Sequence, residues 1–283
     1  MKKRVKNRGW LWLVILGVLV VAGGLGITVW SAGWNGKTDV KLAIISPDRL
    51  VMVSISPVRD MVNVLEVGGS VPIWVPGGLG WYKGDKIMRL LKQEVNFADY
   101  KPIFFYNFGF MADEVVFLEK YEDWSSNKNL ISELGIFGWI KYVLWQNSMI
   151  VSSEEINGAI EQNKLVLGEI MMRDFGDDRI LVDDMRLSVY NASAESGLAG
   201  FMSERLEWAG FSVMEVDDAE EIVDKCLMVY HHGLEERWGL LALKELFSCT
   251  IRTDSNLGEN EIYLYFGDTF GRMIKYSNYV RSF

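Results

Sequence analysis

The chain has 283 residues, 49% of them hydrophobic and 13% aromatic, with only 5 prolines. That composition can fill a substantial core and excludes a disordered or low-complexity chain. The net charge is −9, and five of the 29 basic residues fall in the first nine positions, where there is no acid; the acidic remainder is a poor match for nucleic acid or an anionic surface.

Residues 1–9 (MKKRVKNRG) form a basic tail. The run Trp10 to Trp30 carries no charged side chain. Its 21 residues give roughly 31 Å of helix, enough for a bilayer core of about 30 Å. A single transmembrane helix over 10–32 is the reading. Lys2, Lys3, Arg4, Lys6 and Arg8 hold the amino terminus in the cytoplasm, and Trp10, Trp12, Trp30 and Trp34 mark the two interfaces. A cleaved signal peptide would have a shorter apolar region and a small residue where Trp30 or Val29 stands. The remainder is therefore expected outside the cytoplasm, anchored in the cell membrane.

Residues 31–39 read as a juxtamembrane linker. Arg49 to Ser56 and Met61 to Val67 are β-rich runs joined by a proline-containing turn, which predicts a hairpin. Residues 68–84 form a glycine-rich loop. Its segment 77–86 (GGLGWYKGDK) matches neither phosphate-loop nor dinucleotide spacing. Trp81, Tyr82, Lys83, Asp85 and Arg89 instead combine aromatic area with polar groups, which suits contact with a glycan.

A helix is predicted from Asp85 to about Asn96, a strand from Lys101 to Phe110, and helices over 138–147 and 154–167. The acidic stretch 174–184 (DFGDDRILVDD) reads as a solvated junction; its aspartates match no calcium loop. Beyond it come a strand 186–191, a helix 196–209 ended by Gly210, and strands 211–216 and 226–230. A helix 234–247 and strands 249–253 and 262–266 complete the order β-α-β-β-α-β-β. The fold class is thus α/β: a transmembrane helix, then two α/β modules at 40–165 and 184–272, then a tail 273–283.

His231 and His232 read as a surface connection, and Asn191-Ala192-Ser193 is formally a glycosylation sequon. Cys226 and Cys249 lack metal-site spacing. In an exported chain they are expected to form a disulfide, the alternative being two buried thiols. No metal, catalytic group or cofactor is expected from the residue pattern.

Residues 187–216, 225–249 and 261–272 resemble the LytR C-terminal domain of bacterial cell-envelope proteins. The series Asn191, Ser193, Gly197-Leu198-Ala199, Gly210-Phe211-Ser212-Val213 and Phe266-Gly267 carries the likeness. That domain accompanies LytR–CpsA–Psr catalytic domains, which transfer glycan from a polyprenyl-pyrophosphate carrier with a divalent metal such as Mg²⁺. Residues 48–67 look similar to that family's opening hairpin. Yet Val67 leads into Gly68-Gly69-Ser70 where the family has Pro-Arg-Asp, so module 40–165 resembles a degenerate version. The resemblance implies a non-catalytic binding or scaffolding protein near cell-wall glycan assembly. Its partners would be the lipid bilayer and wall glycan or other envelope proteins. A surviving glycan phosphotransferase and a membrane protein-interaction module are the alternatives.

Overall fold

The computed structural model describes residues 38–59, 61–76, 79–93, 100–119 and 164–272. The basic tail, the expected spanning segment 10–32, the expected helix 138–147 and the tail 273–283 lie outside these. Among the described residues, no helix is long and apolar enough to cross a membrane.

The first sheet has the order β3-β2-β1-β6. Strands β1 (Val40–Ile45), β2 (Arg49–Ser56) and β3 (Met61–Gly68) run antiparallel, and β6 (Glu114–Phe117) joins β1 in parallel. The predicted hairpin is present, with Arg49 opposite Gly68 and Ser56 opposite Met61. Strand β1 was not anticipated. Its side chains are buried on both faces: Ala43 and Ile45 in one cluster, Leu42 and Ile44 in another. Such a strand shows a continuous apolar run rather than alternation. Asp39, read as linker, is 2% exposed at the start of β1.

A small hairpin follows, β4 (Pro72–Val75) with β5 (Gly80–Lys83), then helix α1 (Gly84–Gln93). Residues Lys101–Phe108, expected as a strand, form helix α2. Pro102 sits in its first turn, where a missing N–H costs nothing. Gly109 closes it at φ 64°. The helix is apolar on both sides because it is clamped between two cores. Ile103, Phe104 and Phe108 enter the first, while Phe105 and Tyr106 enter the second.

Helix α3 (Lys164–Ile170) continues into a π-helical turn, Met171–Phe175. Residues 174–184 are not a solvated linker: Asp174 is 4% and Asp177 0% exposed, and Asp178–Asp183 form helix α4. Their charges are met in place: Arg173 pairs with Asp174 and Arg179 with Asp177, while Arg59, distant in sequence, pairs with Asp178.

The second sheet has the order β10-β9-β11-β7-β8. It follows the predicted series: β7 (Arg186–Ala192), α5 (Leu198–Ala209), β8 (Ser212–Asp218), β9 (Cys226–Tyr230), α6 (Trp238–Phe247), β10 (Thr250–Thr253) and β11 (Glu261–Gly267). The helix expected from Leu234 is split into a 3-10 turn, His232–Leu234, and α6. Leu198, Met202 and Leu206 of α5 and Leu240 and Leu243 of α6 pack with Leu187, Met228 and Leu264. Both helices therefore cover one face of the sheet. Trp208 of α5 instead enters the first core, so the two halves interlock.

Candidate functional site

The most polar part of the interior lies where the first sheet meets residues 173–179. Lys41 of β1, Ser54 of β2 and Asn63 of β3 form a row across the sheet. Lys41 is 1% exposed, and its Nζ donates to Ser54 Oγ at 3.0 Å, Phe175 O at 2.8 Å and Gly176 O at 3.1 Å. Asn63 Nδ2 donates to Asp174 O at 2.5 Å, and Arg59 Nη1 to Arg173 O at 2.6 Å. A helix end leaves its last carbonyls unpaired. Here two side chains from the sheet, Lys41 and Asn63, and Arg59 from the β2–β3 turn satisfy those of residues 173–176, and cations suit that end of the dipole.

Charges continue around this row. Arg59 pairs with Asp178, and the Asp178 N–H donates to Asp39 Oδ2 at 2.9 Å. Arg179 binds both oxygens of Asp177, at 2.9 and 2.7 Å, and Asp113 at 2.9 Å. Burial lowers the Lys41 pKa and raises those of Asp39 and Asp113, each opposed by neighbouring opposite charges. This network is a structural clasp: its donors and acceptors face one another, and of those named here Asp113 also borders a cavity.

A cleft of about 220 Å³ opens beside it, between the start of α2, residues 111–113 and α6. Met111, Leu241 and Leu246 make its apolar walls, with Trp238 and Asp113 in the lining. The Arg179 guanidinium lies 3.7 Å from the Trp238 ring centroid, so the indole is fixed by the same arginine that holds Asp113. Lys101 and Glu245 line the cleft and pair at 2.6 Å. One indole, two carboxylates and an ammonium thus share a concave surface at the seam of the two halves, a common place for ligands.

The helix expected over 234–247 carries Trp238, Leu241, Ala242 and Leu246. They line the cleft, with Leu241 49% exposed, while Gly239, Leu240, Leu243 and Phe247 are the buried side. Lys101 and Asp113 were not singled out. Their role depends on pairings across 144 and 66 positions, which no local pattern reveals.

The residues expected to contact glycan lie elsewhere. Trp81 and Tyr82 are consecutive in β5 and face opposite ways, Trp81 toward the second core and Tyr82 toward the first. Lys83 and Arg89 are exposed, and Asp85 pairs with Lys86 at 2.6 Å. The hairpin therefore does not gather the five into one surface. Nor do the basic side chains of 49–101 converge: Arg49 pairs with Asp48 and Glu66, Arg59 with Asp178, Lys101 with Glu245.

In the second sheet, the face opposite α5 and α6 carries Tyr190, Tyr263 and Tyr265. Tyr190 stacks on Tyr265, centroids 4.9 Å apart, and donates to Glu215 at 2.6 Å. Burial, then that hydrogen bond, raises the Tyr190 pKa. Cys226 and Cys249 form the disulfide, Cα atoms 4.8 Å apart, joining β9 to the approach to β10. Asn191 is a buried strand end whose Oδ1 accepts from Ser193. His231 accepts from Gly233 N–H in the connection after β9. Among the described residues, no three His, Cys, Asp or Glu side chains gather as metal ligands would.

Residues 184–270 match the family described as LytR cell envelope-related transcriptional attenuator, about a third of the chain. The match spans the second sheet and its helices and leaves residues 40–165, including the hairpin, outside it. No curated protein and no solved structure shows a significant match. The matched domain points to a cell-envelope-related function.

Proposed function

We propose that this is a membrane-anchored, extracytoplasmic envelope protein that binds cell-wall glycan without catalysing its transfer. The observation that carries the glycan reading is the seam cleft with Trp238 in its lining. An indole offers apolar area to the C–H face of a sugar ring. Asp113 and Glu245 accept from hydroxyls, and Lys101 donates to them. The cleft is smaller than the roughly 300–1,000 Å³ of drug-sized ligand sites and suits a single ring. Anchoring rests on the apolar run 10–32 behind the basic tail. Lys83 and Arg89, exposed on the β5–α1 segment, are kept as accessory contacts for the same polymer, with Trp81, Tyr82 and Asp85 supporting that segment.

The test is retention of the full-length chain on purified wall polymer, with and without divalent metal. Retention independent of metal, lost in Trp238→Ala, is the expected result. No retention under either condition refutes the glycan reading.

A further inference from the structure

Among the described residues, strand β8 is an edge of the second sheet, paired with β7 on one side only. An edge strand presents a row of free N–H and C=O groups, which proteins ordinarily shield. Here six of its seven residues are exposed and the other is half-buried. Met214 is 64% and Val216 47% exposed, and Ile222, just beyond the strand, 63%. These are large apolar groups left in solvent along one edge.

The two sides of the strand differ in chemistry. Glu215 and Asp217 sit in register with Ser188 and Tyr190, on the open tyrosine face. Val216 is in register with Val189, on the side of α5, and Met214 occupies the irregularity between the two registers. Residues 214–224 (MEVDDAEEIVD) contain six acids and no base. Like charges brought edge to edge repel, so a second copy is a poor occupant. A chain of opposite charge is a good one.

We propose that the outer edge of β8 takes an extended cationic peptide as an added strand, with lysines or arginines alternating with apolar residues. Backbone hydrogen bonds to the free edge give the affinity, and alternate side chains give the specificity. The basic side chains meet Glu215 and Asp217 on the open face, and the apolar ones meet Val216 on the helix side. This site lies on the opposite edge of the sheet from β10, which follows α6 and the seam cleft, and does not depend on glycan binding.

The test uses the full-length chain and two labelled peptides of identical composition, one alternating lysine with valine and one with the lysines and valines in blocks. The alternating peptide is expected to bind roughly tenfold more tightly, and binding should slow amide hydrogen exchange across residues 212–218. The double variant Glu215→Lys, Asp217→Lys should lose that binding, and Val216→Asn should weaken it severalfold. Both variants should melt within a few degrees of the parent, since all three residues are exposed and the Tyr190–Glu215 hydrogen bond lost in the double variant lies at the surface. Equal binding of the two peptides means simple charge adsorption and overturns the proposal. So does absence of binding, unchanged binding in the double variant, or dimerisation of the chain through β8.

Discussion

Lys41 Nζ donates to the carbonyl oxygen of Phe175 at 2.8 Å, across 134 positions of sequence. The bond ties the first strand of the fold to the end of a π-helical turn that precedes the second half. A fully buried ammonium is tolerated because Ser54, Phe175 and Gly176 each accept one of its protons, and Asp177 and Asp39 stand near. Lys41→Met keeps the stem but strands those acceptors. Breaking a buried charged contact costs about 3–5 kcal/mol. Urea denaturation of the variant should show a loss of that order; a loss under about 1 kcal/mol would mean the carbonyls find other donors.

Asp39 sets a second expectation, in pH. Burial raises its pKa above the ordinary 3.8. Between 3.8 and the raised value, the folded chain holds a proton that the unfolded chain has released. Stability from this group is therefore full below 3.8 and falls as pH rises through the folded pKa. Asp39→Asn cannot titrate. The unfolding free energy of the parent, relative to this variant, should decline with rising pH in that window. A difference constant with pH would refute the assignment.

Gly109 bears on how the halves fit. Its φ is +64°, and a Cβ there would meet Trp208 Cβ at 2.5 Å and Arg205 O at 2.7 Å. Gly80 has φ +88° with nothing within 4 Å. Gly80→Ala should cost only the left-handed strain, about 1–2 kcal/mol. Gly109→Ala adds overpacking of about 1–3 kcal/mol to that strain. Thermal unfolding of both variants checks the order; equal melting temperatures would show that α5 can move away.

The contrast between α2 and the second sheet shows where sequence patterns inform. The strand 186–191 and the helix 196–209 with Gly210 as its left-handed cap were legible because each of these elements keeps some residues toward water. Residues Lys101–Phe108 have none. With Phe104 in one core and Phe105 in the other, no periodicity survives, and aromatic content alone suggested a strand. The acidic stretch misled for another reason. Asp113, Asp177 and Asp178 are neutralised by Arg179 and Arg59, and part of that pairing is set by topology rather than by neighbours in the chain. The seam cleft was hidden likewise, since its lining comes from α2, the segment before β6, and α6.

The Cys226–Cys249 bridge closes a loop with a sequence separation of 23. Restricting the unfolded chain by a loop of that length contributes about 3 kcal/mol in the chain-entropy account. Replacing both cysteines by alanine should lower the unfolding free energy by that amount. Reductant should produce a comparable loss in the parent and none in the variant. Indifference of the parent to reductant would show that the bridge is absent or carries no stability.

The Lys101–Glu245 pair separates a strap from a binding group. Its 2.6 Å contact joins α2 to α6 across the cleft, but Glu245 is 63% exposed. An exposed pair contributes at most about 1 kcal/mol and is screened by salt. Lys101→Ala and Glu245→Ala should therefore change the unfolding free energy by less than that, and less again at high ionic strength. If these groups hold sugar hydroxyls, both variants should nevertheless lose retention on wall polymer. A large stability loss with retention intact would assign the pair to holding the halves together. A small loss with retention intact would remove it from both roles and leave Trp238 and Asp113 as the groups to replace next.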